Sequence, residues 1–94
     1  ADRTLATRIH TLVLAAAPEL KARLWYGMPA YYKDGKNICF FQDSGKFKAR
    51  YSTFGFNDAA RLDEGGFWAT GFAILTLSPE DEARLSALVR RAVS

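Results

Sequence analysis

The chain has 94 residues, of which 49% are hydrophobic, enough to build one packed core. Its net charge of +3 suits an anionic ligand but falls short of the dense basic stripe typical of nucleic-acid-binding proteins. No apolar run reaches the ~18–20 residues of a membrane-spanning helix, and a single cysteine excludes an intrachain disulfide framework. We therefore expect one cytoplasmic domain over residues 1–94, with no signal peptide and no membrane contact.

Residues 2–17 have the apolar spacing of an amphipathic helix. Apolar side chains recur along one stripe of a helix with 3.6 residues per turn. These residues are Leu5, Ile9, Leu12, Val13 and Ala16. Pro18 is expected to end this helix or to open a short second helix that reaches Leu24.

Three strands are predicted next, over residues 30–33, 37–42 and 47–53. Gly27 allows a bend before the first strand, and Asp34-Gly35 has the sequence of a two-residue type I′ turn. Residues 43–45 form the second turn, and the third strand alternates in character along its length. This alternation places Lys48 and Arg50 on the face away from the core.

The register of the second hairpin is left open between two arrangements. With a two-residue turn, Gln42 pairs with Phe47, and the even-numbered residues of the second strand, including Phe40, are buried. With a three-residue loop, the odd-numbered residues, including Phe41, are buried instead. We favour the first arrangement because it buries Ile38 together with Phe40 rather than a cysteine with a phenylalanine.

The last third of the chain is predicted to contain a short helix, a strand and a long helix. Asn57 can cap a helix over residues 58–64, and residues 73–77 form a strand. Residues 78–81 (Ser-Pro-Glu-Asp) mark a helix start, with an N-cap serine, a proline at the first position and acids in the first turn. The apolar stripe of this helix consists of Leu85, Leu88, Val89 and Ala92.

Together these elements predict an α+β fold with two layers. The N- and C-terminal helices pack on one face of an antiparallel β-sheet, and the other face is left to solvent, a ligand or a partner.

Three stretches of the chain form a distinctive set: residues 16–20 (Ala-Ala-Pro-Glu-Leu), 25–31 (Trp-Tyr-Gly-Met-Pro-Ala-Tyr) and 35–36 (Gly-Lys). On these stretches the chain resembles the YdhG-like domains of unknown function, and the resemblance extends over essentially the whole length. Members of this family are small bacterial α+β domains, and one branch is described as frataxin-like iron chaperones. The resemblance implies the same frataxin-like fold here, and it alone implies iron; no other cofactor is expected.

The single histidine, the single cysteine and the acidic clusters are interpreted mainly as structural. His10 is expected on a solvated helix face. Cys39 is expected to pack in the middle of a strand as a small apolar residue; the alternative interpretation is a reactive thiolate beside a cation of the next strand. The acids at 80–82 follow from helix capping. The pair at 63–64 is the better candidate for a weak cation site.

Seven residues are predicted to form a ligand site where the aromatic loop meets the basic strand. The aromatic and methionine side chains supply apolar walls, and the two cations suit a carboxylate or a phosphate. These residues are Trp25, Tyr26, Met28, Tyr31, Lys48, Arg50 and Trp68. Core packing is the default interpretation of the aromatic residues, and a solvated face is the default for the cations; the ligand site is the sharper hypothesis.

No phosphate loop, nucleophile elbow or Cys/His pair at metal spacing is present, so no enzyme is expected. The favoured function is a non-catalytic binding domain for a small anionic ligand or an acidic segment of a partner protein. The first alternative is a metal chaperone, although the first helix carries Arg3 and Arg8 where frataxin-type iron binding is associated with acids. The second is an interaction module that uses the open sheet face, as a monomer or weak homodimer. Nucleic-acid binding ranks last.

Overall fold

The computed structural model describes residues 3–94, which form three helices and five strands. In chain order these are α1 (Arg3–Ala16), β1 (Lys21–Trp25), β2 (Met28–Lys33), β3 (Lys36–Gln42), α2 (Ser44–Phe47), β4 (Ser52–Phe56), β5 (Gly71–Ile74) and α3 (Pro79–Val93). The strands make one antiparallel sheet in the order β1-β2-β3-β4-β5. The predicted α+β fold, with an open antiparallel sheet and helices at both ends of the chain, is confirmed.

Both long helices bury the apolar stripes predicted for them. In α1, Ile9 and Val13 are fully buried, and Leu12 lies at the edge of the core. In α3, Leu85, Val89 and Ala92 are buried. Helical periodicity therefore located both helices, while the predicted start of α1 at Asp2 lies outside the described residues.

The start of α3 is fixed by a reciprocal capping box. The Asp81 backbone N–H donates to the Ser78 hydroxyl, and the Ser78 N–H donates to the Asp81 carboxylate, each over 3.1 Å. The hydrogen bonds from Ser78 lower the pKa of the Asp81 carboxyl. The predicted helix start is thus confirmed.

The two long helices lie side by side and run in the same direction. Arg8 in the second turn of α1 forms an ion pair with Glu82 in the first turn of α3, so the N-terminal ends of both helices are adjacent. At the other end, the Lys33 ammonium group donates to the Val93 carbonyl over 2.7 Å and lies 4.0 Å from the Glu19 carboxylate. Lys33 therefore links the end of α3 and the segment after α1 to the sheet.

The first two hairpins turn through residue pairs in the left-handed region. Tyr26 and Gly27 have φ of 51° and 78°, and Asp34 and Gly35 have φ of 52° and 78°, as type I′ turns require. The predicted turns at Gly27 and at Asp34-Gly35 are confirmed. The possible helix up to Leu24 is wrong, because this stretch is an edge strand with mostly exposed residues.

The predicted third strand at 47–53 is also wrong, together with both of its registers. Residues 44–47 form the short helix α2, and the strand begins only at Ser52, with Gln42 opposite Thr53 and Phe41 opposite Phe54. The later position is favoured because it buries Phe54 fully in the core. The Ser44 N–H donates to the Ser52 hydroxyl over 3.0 Å, which closes the connection.

The buried set of β3 combines residues from both predicted arrangements. Cys39 and Phe41 point into the core, whereas Phe40 is half-buried on the opposite face. A β-bulge opposite Tyr31 and Tyr32 interrupts the alternation, and Ile38 is buried as well. The favoured pair of Ile38 and Phe40 is therefore half correct.

The segment between β4 and α3 departs from the predicted helix and strand. Residues 58–64 contain a turn closed by the Ala60 N–H to the Asn57 carbonyl over 2.9 Å, not a helix. The Arg61 N–H donates to the Ala92 carbonyl over 2.9 Å and ties this segment to α3. The final strand begins two residues before the predicted Ala73 and ends at Ile74. Within residues 3–94, no helix combines the length and apolarity needed to cross a membrane.

Candidate functional site

The face of the sheet turned away from α1 and α3 is the outer face. Paired residues of neighbouring strands share a face, so the registers assign its members. They are Lys21, Arg23, Trp25, Met28, Ala30, Tyr32, Asn37, Phe40, Gln42, Thr53, Gly55, Gly71 and Ala73. This set contains two cations and no acid.

An aromatic platform occupies the middle of the outer face. The rings of Trp25 and Phe40 lie 5.3 Å apart between centroids, and Tyr26 packs edge-on against Trp25 at 5.2 Å. The Phe40 ring lies over Gly55, where an added Cβ would come within 2.4 Å of the ring. The missing side chain at Gly55 therefore allows Phe40 to lie flat beside Trp25.

The two cations of the outer face lie on the edge strand β1, next to this platform. The Arg23 guanidinium carbon is 5.3 Å from the centre of the Tyr32 ring, a cation–π contact across the β1–β2 pair. Lys21 and Arg23 are both exposed. The sequence analysis missed both cations because it predicted no strand at residues 21–25. Lys21, Arg23 and Trp25 alternate along the chain, so a strand there would have placed them on one face.

Lys48 and Arg50 lie in the loop between α2 and β4 rather than on a strand. Met28 is level with Gln42 in the sheet, so this loop and the β1–β2 turn leave the same end of the sheet. The Arg50 guanidinium carbon lies 5.2 Å from the centre of the Tyr51 ring, and both cations are exposed. Both cations therefore lie beyond the upper end of the sheet, which we define as the end with the β1–β2 turn.

The remaining two residues of the predicted site lie elsewhere. Tyr31 is fully buried on the inner face, and its hydroxyl is 3.0 Å from Nδ1 of His10 on α1. Burial raises the pKa of Tyr31 to about 12. Trp68 lies in the loop before β5, which meets the sheet at the end opposite the β1–β2 turn. The structure therefore brings together Trp25, Tyr26 and Met28 but not these two.

Cys39 is fully buried among the core residues, and burial raises the pKa of its thiol to about 12. We expect native protein at pH 8 to react with a thiol reagent such as DTNB at least about 100-fold more slowly than unfolded protein, because the thiolate is the reactive form. The measurement is the rate of absorbance change with and without guanidinium chloride. Rapid labelling of the native state would place Cys39 at an accessible surface.

Among the described residues 3–94, no three histidine, cysteine or acidic side chains gather closely enough to hold a metal ion. The carbonyl of Asp63 accepts a hydrogen bond from Arg91 over 2.9 Å, which places a cation beside the predicted 63–64 acidic pair. Scans against models of known protein families, curated proteins and solved structures found no match for this chain. The arrangement that the geometry offers is an open aromatic surface with positive charge along one edge and one end.

Proposed function

We propose that this chain is a non-catalytic binding domain of the YdhG-like type, whose outer sheet face binds an acidic segment of a partner protein. The observation that carries this proposal is Arg23 stacked on Tyr32, beside the Trp25–Phe40 pair, on a face without acidic residues. Aromatic rings with a neighbouring arginine are typical of the residues that dominate protein interfaces.

An extended segment fits this surface better than a small anion does. Neighbouring strands are spaced ~4.8 Å apart, so the cations on β1 and the platform ring on β3 are separated by about 10 Å. Lys48 and Arg50 lie farther along, beyond the end of β3. The polar groups are distributed along a path rather than directed at one point, which a chain with several carboxylates can follow.

The single cysteine and the single histidine support a role without catalysis. Cys39, the one cysteine nucleophile that the sequence offers, is buried, and burial raises the pKa of its thiol. The Nδ1 atom of His10, the only histidine, is hydrogen-bonded to the Tyr31 hydroxyl. A nucleophile needs an accessible base within hydrogen-bond distance, and neither residue offers this pairing. The iron-chaperone alternative has no comparable support among residues 3–94, where no metal-ligand cluster forms.

The test uses Trp25 as the reporter of binding. The chain has two tryptophans, and Trp68 lies at the far end of the sheet, so Trp68→Phe leaves one reporter on the outer face. This protein is titrated with a short peptide rich in aspartate and glutamate, a matched lysine-rich peptide, citrate and a single-stranded oligonucleotide. We expect the acidic peptide alone to shift the Trp25 emission, with an affinity that falls as salt increases.

In the same background, Arg23→Ala is expected to weaken binding of the acidic peptide about ten-fold, because the guanidinium that stacks on Tyr32 and can pair with a carboxylate is lost. The double change Lys48→Ala and Arg50→Ala should weaken it further through lost long-range attraction. Arg90→Ala, an exposed arginine on α3, is the matched control and should leave affinity unchanged. Equal loss with Arg90→Ala, or preference for citrate or the oligonucleotide, contradicts the proposal.

A further inference from the structure

The two edges of the sheet differ in how they are protected. Edge strands usually carry charges or prolines that discourage pairing with another chain. The β1 edge follows this rule with Lys21 and Arg23, whereas β5, Gly71–Ile74, has neither a charge nor a proline. The β5 edge is therefore the side of the sheet that is open to a further strand.

The backbone of β5 has hydrogen-bonding groups available at this edge. The Phe56 N–H donates to the Thr70 carbonyl over 2.7 Å, so residues 70, 72 and 74 direct their backbone groups toward β4. By alternation, Ala73 directs both its N–H and its carbonyl away from the sheet. Ala73 is also exposed, so a second strand can approach this pair.

An exposed leucine and an open glycine lie on either side of Ala73. Leu75 directly follows β5 and is 68% exposed, so its side chain is available for contact with another chain. A Cβ added at Gly71 meets nothing within 4 Å, so the outer face has empty space there. Gly71 shares the outer face with Ala73 in β5, and Leu75, the first residue after the strand, lies two positions beyond Ala73 in sequence.

On the inner side, a groove of about 190 Å³ runs between β5 and α3. Its apolar walls include Phe72, Leu77 and Leu88, and its charged groups are Asp81 and Arg84. The groove therefore combines one carboxylate and one guanidinium group with apolar walls, next to the unprotected β5 edge.

We propose that a second copy of this chain pairs with the β5 edge, giving a two-fold symmetric dimer with a continuous ten-stranded sheet. With the axis at Ala73, the Ala73 N–H and carbonyl of each copy bond to those of the other. Leu75 of each copy then lies beside the open Gly71 of its partner copy on the outer face. A two-fold axis makes every contact twice, so one complementary pair supports the whole interface.

The inner face is self-complementary in the same register. Phe72 of one copy lies opposite Ile74 of the other, a cross-strand aromatic and β-branched pair. The axis also places the two grooves, each lined by one Asp81 and one Arg84, on the same side of the joined sheet. A foreign peptide has no such built-in match to Leu75 and Gly71, which is why a second copy is the fitting occupant. The short strand makes a small interface, so the dimer is weak compared with a standard interface of ~1,600 Å².

Sedimentation velocity on the complete chain tests this dimer, over protein concentrations from about 5 μM to about 1 mM. We expect the sedimentation coefficient to rise toward that of a dimer within this range. Amide chemical shifts followed on dilution locate the interface, and the changes should concentrate in residues 71–77 and in the first half of α3. A monomer at every concentration, or changes centred on β1, overturns the proposal.

Leu75→Lys is expected to weaken the dimer at least about ten-fold, because it places a charge against the partner strand. Leu24→Lys is the matched control, since Leu24 is 81% exposed on the opposite edge and should leave association unchanged. Both substitutions are at exposed positions, and circular dichroism confirms that each variant is folded. Equal weakening by both variants, or none by Leu75→Lys, overturns the proposal independently of peptide binding at the outer face.

Discussion

Replacing Phe54 by alanine is expected to lower the free energy of unfolding by about 3–5 kcal/mol. Phe54 is fully buried in the middle of β4, and its ring packs edge-on against Phe56 at a centroid distance of 5.2 Å. Truncation leaves a cavity that the surrounding strands fill only in part. Because domains of this size are stabilised by only ~5–15 kcal/mol in total, a large share of the stability would be lost.

Urea denaturation followed by circular dichroism measures this change, with Phe67→Ala as the matched control. Phe67 is 90% exposed, so the same truncation should alter the free energy of unfolding by less than about 0.5 kcal/mol. The comparison also tests the position of β4, since the sequence-predicted strand ends before Phe54. Similar losses for both variants would contradict the strand assignment in the structure.

Gly55→Val is expected to disrupt the aromatic platform and to cost about 1–3 kcal/mol of stability. The new side chain would begin within 2.4 Å of the Phe40 ring, so Phe40 must swing away from its place beside Trp25. We expect a shift in tryptophan emission and at least about ten-fold weaker binding of the acidic peptide, as the apolar surface at the site is lost.

Gly71→Val provides the control for this substitution at low micromolar protein concentration. Gly71 occupies the same outer face on the neighbouring strand, but its added Cβ meets nothing within 4 Å. The strand should accept valine there without loss of stability and without a change in Trp25 emission. If Gly55→Val proves equally harmless, the position of the Phe40 ring does not depend on the absence of a side chain at residue 55.

The helices were predictable because their packing follows from local patterns. A stripe with a 3.6-residue period requires burial on one side only, and Ser78 with Asp81 caps α3 through contacts within four residues. The turn at Asp34-Gly35 was equally readable, since few residue pairs favour the left-handed region at both positions.

The strands β1 and β4 were not predictable in the same way. β1 buries little of its own surface, so it lacks the apolar alternation that identifies a strand. For β4, the segment 47–53 alternates as well as the true strand does, and only tertiary packing decides between them. Burial of Phe54 and Phe56 around Gly55 favours the later segment, which required knowledge of the partners across the sheet.

The candidate site was predictable in its aromatic part and not in its charged part. Trp25, Tyr26 and Met28 belong to one hairpin, so their proximity follows from the chain itself. Arg23 could be assigned to the site only once β1 was known, because the pairing of β1 with β2 decides which face of the sheet its side chain occupies. Tyr31 was misplaced for a related reason: adjacent residues of a strand point to opposite faces, and Tyr31 belongs to the core.

The order of the strands has a consequence for how the chain folds. Each strand pairs with the strand that precedes it, so the sheet can assemble from successive hairpins with low contact order. The helix layer is different, since Arg8 reaches the Leu77 carbonyl across 69 residues of sequence. During synthesis the meander can therefore form before α3 emerges, with the apolar inner face of the sheet only partly covered. The interval before α3 docks is when the apolar inner face of the sheet is most exposed to aggregation.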